Sequence, residues 1–316
     1  MKAMKGLELS EKYYEAYGAP MIREQFPEIE GLIAAGLTGS GSECYGYDDA
    51  VSADHDWEPG FCLFLPGEDR VDRRTAFRLE RAYAKLPAEF EGFTRQKMGP
   101  AGGQRHGVFR REEYFREKLG CLPAEMTAQD WLRLPDWALA ESVNGKIFRD
   151  GAGEMTRDRE ILRNMPEDIR KKRLAGHLLM MAQSGQYNYR RCLQHGETGA
   201  AQLAAGEFVN HTMSTAFLLE KQYRPYYKWG FRALKALAGG EDLARSLEWL
   251  LSTGNDEGIA EDKYFCMEGI ASDVIDKLQE QGLTQAVCGD LEKHAYSVND
   301  GIGDNGVRNL NILCCV

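Results

Sequence analysis

The stretch "GSGSECYGYDDAVSADHDW", Gly39 to Trp57, decides how the N-terminal half is read. It opens on small residues that turn easily, and it carries Asp54 and Asp56 with His55 between them. A Gly/Ser turn between a strand and a helix presents backbone N–H groups, which suit a phosphate. Aspartates two apart on an extended segment point to one side, because side chains alternate along a strand. Two such carboxylates can share a divalent cation, and Mg²⁺ is commonly held by one or two carboxylates together with substrate phosphates. On the same segment His55 faces the other way and reads as structural.

Strand signals flank this stretch. "GLIAAGL" (Gly31–Leu37) ends just before the turn, and "FCLFL" (Phe61–Leu65) follows the aspartates, bounded by Gly60 and Pro66. The order places the turn and the two aspartates at one rim of a sheet. A surface acidic loop is the alternative reading, since Asp48, Asp49 and Glu58 are also local. A calcium loop of the EF-hand kind is not, because its Asp-x-[Asp/Asn]-x-[Asp/Asn]-Gly run is missing. "HGVFRR" (His106–Arg111) and "GKIFRD" (Gly145–Asp150) read as two more strands, and "RVDRRTAFRLERAYAKL" (Arg70–Leu86) as a helix ending before Pro87. "EGFTRQKMGPAGGQRHG" (Glu91–Gly107) reads as a loop. Beyond Glu154 the signals are helical. Pro166 reads as a first-turn proline with Asn164 as cap, and further helices are expected over about 201–222, 225–238, 242–252 and 257–281. The expectation is an α+β fold: a mixed sheet flanked by helices in residues 1–160, followed by an all-α bundle in 161–316.

The 316 residues carry a formal net charge of −10, which argues against tracking a long nucleic acid but leaves room for a local phosphate pocket. No apolar run approaches the ~20 residues of a membrane span. "MKAMKGLELSEKYYEAYG" has no apolar run after its lysines, so a secretory signal is not expected and a cytoplasmic location is. Eight cysteines without a CxxC pair read as reduced cytosolic thiols rather than a zinc site. Cys44, although in the turn, has no basic neighbour to lower its pKa and is given no chemistry.

Gly41-Ser42, a gap of eleven residues, then Asp54-x-Asp56 and an apolar strand resembles the signature of the polymerase-β-like nucleotidyltransferase superfamily. Gly39-Ser40, with a gap of thirteen, is the alternative register; Gly46, four residues after Ser42, favours the first. With "GKIFRDGAGEMT" (Gly145–Thr156) and "YRPYYKW" (Tyr223–Trp229), the chain more closely resembles the bacterial group named after a domain of unknown function, DUF4037. The resemblance implies a nucleotidyltransferase-type sheet domain ahead of a helical domain. It implies Mg²⁺ (or Mn²⁺) at Asp54 and Asp56 as catalytic and metal-binding residues, and NTP phosphates at Gly39, Ser40, Gly41 and Ser42. The reaction implied moves an NMP from an NTP to a hydroxyl of a small-molecule acceptor, with neither long nucleic acid nor membrane as partner.

Two features bear on that reading. The superfamily has a third carboxylate on a later strand, whereas "HGVFRR" contains no acid; Glu112 and Glu113 follow it, and Asp150 ends the next strand. The alternative is therefore a catalytically impaired module of the same fold that binds nucleotide or a protein partner. Cations are also scarce near the motif, with no Lys or Arg between Gly39 and Asp69. Arg224 and Lys228 in "YRPYYKW" are expected to neutralise the nucleotide's phosphates, with a tyrosine or Trp229 stacking on a ring; the basic loop Arg95–Arg105 is the competing source. "YNYRR" (Tyr187–Arg191) offers Arg190 in the same sense. His177 and His211 read as core or interface histidines.

Overall fold

The computed structural model describes residues 4–49, 58–95 and 105–316, and of Glu257 the backbone alone. The chain divides into two compact units, residues 1–126 with 138–164, and 127–137 with 165–316.

The first unit is built on two strands without a polar residue, β1 (Ala34–Leu37) and β2 (Cys62–Leu65). Such runs are strands covered on both faces, and every residue of both is buried. A short hairpin, β3 (Glu89–Phe90) with β4 (Phe93–Thr94), then β5 (Gly107–Arg110) and β6 (Lys146–Asp150), complete the strands of this unit among the described residues. The four-stranded sheet has the order β5-β2-β1-β6. β1 runs antiparallel to both neighbours, with Ala34 opposite Phe64 and Asp150, and Leu37 opposite Lys146. β2 pairs parallel with β5, Cys62 opposite Gly107. The end of β1 and the starts of β2, β5 and β6 therefore share one rim.

Alternation divides the side chains between two layers. Ile33, Ala35, Leu63 and Leu65 join a core with Tyr13, Ile22, Phe26 and Leu79 from the helices α1 (Gly6–Tyr13), α2 (Ala19–Gln25) and α3 (Arg73–Ala84), and from the turns that follow them. Phe61 anchors this layer, with ring centroids 5.8, 5.3 and 4.9 Å from Tyr13, Tyr14 and Tyr83. Phe64 points the other way, 5.0 Å from the ring of Tyr114 on α4 (Arg111–Leu119).

The helices α5 (Ala128–Arg133), α6 (Asp136–Val143) and α7 (Glu154–Arg163) come next, and from Glu167 the second unit is helical. It comprises α8 (Glu167–Met181), α9 (Tyr189–Gln194), α10 (Thr198–Leu219), α11 (Tyr227–Leu234), α12 (Gly240–Ser252), α13 (Glu257–Glu280), α14 (Leu291–Asp300) and α15 (Asn305–Arg308). α8 packs against α10 and α14. Its interior holds two lysines whose ammonium groups use all three donors, as burial of charge favours. Lys172 Nζ donates to Asn299 Oδ1 (2.8 Å), Arg308 O (3.1 Å) and Leu310 O (2.6 Å). Lys263 Nζ donates to Gln202 Oε1, Thr253 O and Asn255 Oδ1 at 2.8 to 3.1 Å. His177 and His211 are both buried and face each other, Nδ1 to Nδ1 at 2.9 Å. One must donate and the other accept, and burial pushes the pKa of both down, which keeps the pair neutral at pH 7.

The architecture is the expected α+β one, with local corrections. Glu30–Leu32 form a 3₁₀ turn, so the first strand begins at Ala34 rather than Gly31. Pro166 is the N-cap of α8 rather than a first-turn residue, because its ψ of 136° is extended. Asn164 instead closes α7, its Nδ2 donating to Glu160 O at 2.8 Å. The hairpin β3–β4 falls partly in the expected loop; its turn passes Glu91 at φ 53°. No helix among the described residues is long and apolar enough to cross a membrane.

Burial pushes the thiol of Cys62 on β2 up to about 12. An unfolded thiol titrates near ~8.5. Between these values the unfolded chain has released a proton that the native chain keeps, so stability falls as pH rises through that window and is constant below it. Urea midpoints measured from pH 7.5 to 10.5 should decline above about pH 8.5, and decline less steeply in Cys62→Ala. Equal slopes in the two proteins would contradict the assignment.

Candidate functional site

β1 ends at Leu37 because the next residues leave the ladder for a turn. Gly39 has a φ of 126°, in the region that favours glycine. Ser42–Tyr45 form one 3₁₀ turn, closed by Gly46. The N–H groups that open such a turn have no partner within it. At Gly41 a Cβ would lie 2.0 Å from Arg105 Nη2 and 2.1 Å from Glu43 Oε1, so the bare backbone is what lets these side chains approach.

The turn is held from the far side by the segment that follows α6. Asn144 Oδ1 accepts from Gly39 N (2.9 Å) and Thr38 Oγ1 (3.1 Å), and Asn144 Nδ2 donates to Gly39 O (2.7 Å). A side-chain amide thus replaces the strand partner that the chain has lost. The single proton of Thr38 Oγ1 is shared with Glu141 O at 3.0 Å, and Gly145 N donates to Cys44 O (2.8 Å). The Asn144 amide has no freedom to turn over, because reversing it would face donor against donor at Gly39.

In front of the turn is a cleft of about 100 Å³, lined among others by Thr38, Gly39, Ser40, Gly41, Arg105 and Lys118. Its charges are largely paired. Buried Glu43 pairs with Arg105, and Lys118 Nζ lies 3.2 Å from Glu141 Oε2. His106, another lining residue, has Nδ1 3.0 Å from Glu58 Oε1. Glu117 contributes a further carboxylate to the wall. Cys44 also lines the cleft, and burial pushes its thiol well up, leaving no reactive thiolate.

Gly39, Ser40 and Gly41 line this cleft, and Ser42 follows them into the 3₁₀ turn. Asp54 and Asp56 lie outside the described residues, as do His55 and most of the loop between Arg95 and Arg105. Arg105, the end of that loop, reaches the cleft because β5 starts at the same rim as β2. The three candidates for a third carboxylate go elsewhere. Asp150 stands opposite Ala34, at the far end of β1, and its Oδ2 accepts from Thr156 N (2.7 Å) to cap α7. Glu112 pairs with Arg116 on α4, and Glu113 lines a separate surface pocket beside Glu80.

Arg224 and Lys228 belong to the second unit. Arg224 is not a solvated cation: its Nη1 donates to Asn210 O (2.9 Å), Asn210 Oδ1 (2.7 Å) and Ser214 Oγ (3.2 Å), which ties it to α10. Lys228 is exposed, its Nζ 4.9 Å from the Trp229 ring centroid. Arg190 pairs with Glu261 at 2.9 Å and lies over the Tyr264 ring. Asn144, Glu43 and Lys118 were missed by the sequence reading. Glu43 adjoins the Gly-Ser pair and was within reach of it; Asn144, 105 residues from its partner, carries no local signal.

A mixed sheet with a braced Gly/Ser turn at the end of its first strand and a helical unit beyond it is the class of architecture found. Among solved structures, the chain is similar to a nucleotidyltransferase-like protein from Exiguobacterium sibiricum 255-15, 14% identical, with a TM-score of 0.37 over 91% of this chain and 81% of that one. Residues 131–230 match the family model of a domain of unknown function, DUF4037. That stretch contains Asn144, Arg224 and Lys228 but not the Gly/Ser turn or the Asp-x-Asp. No curated protein matches the chain.

Asn144→Ala removes three hydrogen bonds and leaves the Gly39 N–H and C=O short of partners. It should lower the unfolding free energy by about 1–3 kcal/mol. Asn144→Asp keeps the acceptors but sets a carboxylate oxygen against Gly39 O in place of the donor, so it should cost at least as much as Ala. Denaturant melts of the two variants check the order, and a harmless Asn144→Ala would refute the brace.

Proposed function

We propose that the chain is a nucleotidyltransferase that uses Mg²⁺ or Mn²⁺ to move an NMP from an NTP to a hydroxyl of a small-molecule acceptor. The observation that carries the reading is the rim. The Gly39–Ser42 turn is fixed by Asn144 at the sheet end where β2 begins, and Asp56 precedes Cys62 by six residues in the sequence. The phosphates would lie on the turn's backbone at Gly39, Ser40, Gly41 and Ser42, where Gly41 keeps the approach open. Asp54 and Asp56 would hold the cation, and a bound Mg²⁺ supplies charge neutralisation of the triphosphate. The acceptor oxygen bonds to the α-phosphorus, the bond from that phosphorus to the bridging oxygen breaks, and pyrophosphate leaves. The acceptor proton passes to a carboxylate or to water.

Arg105 is the cation that this reading places on the phosphates within the first unit. It already lines the cleft, and an incoming phosphate competes with Glu43 for its guanidinium. Arg224 is committed to α10 by three hydrogen bonds, which weakens the case for it. Lys228, exposed on α11, retains the case made from sequence. The absence of an acid on β5 favours a second reading, a module of this fold that binds nucleotide without transferring it.

Two experiments decide. Incubation with each α-labelled NTP, Mg²⁺ and a metabolite extract should yield labelled product and pyrophosphate, and Asp54→Asn with Asp56→Asn should abolish both. Tight Mg²⁺-dependent binding without product selects the second reading; unchanged Mg²⁺–NTP affinity in the folded double variant overturns the metal site. In parallel titrations, Arg105→Ala should weaken NTP binding by about 1–3 kcal/mol, the value of a partly buried charged hydrogen bond. Arg224→Ala should lose mainly stability. If Arg224→Ala or Lys228→Ala loses affinity and Arg105→Ala does not, the phosphates are held by the second unit.

A further inference from the structure

The second unit contains a groove of about 620 Å³ walled by the end of α10, the end of α11 with the turn after it, the start of α12, and the C-terminal half of α13. The volume is that of a site for a small organic molecule. Its floor is apolar, made of Leu219, Leu234, Leu243, Ile270 and Val274. Its rim carries five carboxylates, Glu220, Asp242, Asp273, Asp276 and Glu280, against one ammonium, Lys277.

Among the described residues, the charges on this rim are only partly matched. Lys277 is taken by Glu220 at 3.6 Å, and Asp242 faces Arg245 at 3.2 Å. Among the described residues, Asp273, Asp276 and Glu280 enter no ion pair. The rim also receives the C-terminal ends of α10 and α11, whose dipoles add negative potential, and the N-terminus of α12, which offsets part of it. No group of three metal-ligating side chains converges among the described residues, so the acids surround the groove rather than focus on one point. Dispersed carboxylates over an apolar floor match a ligand with an apolar body and a cationic head, not a bare divalent ion.

We propose that this groove binds a small amphipathic organic cation, a primary or secondary amine on an aromatic or alkyl body. The body replaces water on Leu234, Ile270 and Val274, and the ammonium sits among Asp273, Asp276 and Glu280. The site is separate from the Gly/Ser cleft and does not rest on the nucleotidyl-transfer reading.

The test is calorimetric titration of the full chain with 4-phenylbutylamine, its neutral analogue 4-phenylbutan-1-ol, and the anion 4-phenylbutyrate. The amine should bind at least fivefold more tightly than the alcohol, and the carboxylate more weakly than either. Raising salt from 20 to 500 mM should narrow the amine's advantage, because exposed charges are screened. Asp273→Asn with Asp276→Asn, both at exposed positions, should erase the preference for amine and leave alcohol binding as it was. Equal affinity for amine and alcohol, an amine preference that survives the double variant, or no binding of any probe at 10 mM overturns the proposal. Val274→Trp, which fills the groove, should remove all binding; if that variant does not fold, the charge variant alone decides.

Discussion

The buried guanidinium of Arg159 is the constraint on which the rest of the sheet rim depends. Its Nη2 donates to Val143 O at 2.6 Å and to Asn144 O, the carbonyls that the end of α6 leaves without helical partners. Burial pushes its pKa down to about 10, still high enough for the side chain to remain charged at neutral pH. Fixing Asn144's backbone in this way fixes its side-chain amide, which in turn fixes Gly39. A residue on α7 thus determines where a turn more than a hundred residues earlier can lie. Arg111 completes the clamp by pairing with buried Asp158 on α7. Each link is a charged or amide hydrogen bond out of water, where a missing partner costs more than the bond itself contributes.

The same logic sets the electrostatics of the cleft. Glu43 and Glu141 are matched by Arg105 and Lys118, and Glu58 lies within hydrogen-bond distance of His106. A paired cleft is one in which the cations are present but not free, and a phosphate must exchange for a carboxylate to reach them. Such an exchange gives Arg105 a new anion but removes the partner of Glu43. Glu43 is left as the group to be satisfied. Because it is buried, losing Arg105 without another cation at hand is unfavourable, so anion and cation would have to arrive together.

How much of this was legible in the sequence follows from the range of each signal. β2, β5 and β6 were found almost to the residue: β2 is an apolar run between Gly60 and Pro66, and β5 and β6 are short segments with paired apolar residues, Val108-Phe109 and Ile147-Phe148, set off by Gly107 and Gly145. The Gly-Ser turn was readable because a glycine-rich stretch at the end of a buried strand must leave the sheet. Pro166 and Asn164 were misread because the boundary between α7 and α8 is only Asn164 to Pro166, and a capping residue there serves either helix equally well in sequence. Asn144 was invisible: nothing local distinguishes an asparagine that braces a remote turn from one that merely ends a helix. The ties of Arg224 to Asn210 and Ser214 were invisible for the same reason, since both partners lie on α10, well before it in the chain.

A net charge of −10 says nothing about where charge is available, and the two concavities separate on that point. In the cleft at the Gly/Ser turn, acids and bases are largely matched, so what it offers an anion is exchange. In the groove between α10, α11, α12 and α13, carboxylates outnumber ammonium groups and three of them have no ion-pair partner among the described residues. Like charges on a rim repel one another, and nothing in packing requires Asp273, Asp276 and Glu280 on neighbouring turns of one helix. A helix gains about 0.2–0.5 kcal/mol from each opposite pair at that spacing and loses a similar amount from each like pair. On α13 the like pairs Asp273/Asp276 and Asp276/Glu280 are offset by Lys277, four residues after Asp273 and three before Glu280, so the excess of carboxylate belongs to the rim as a whole, and that is what a cation lying in the groove would meet.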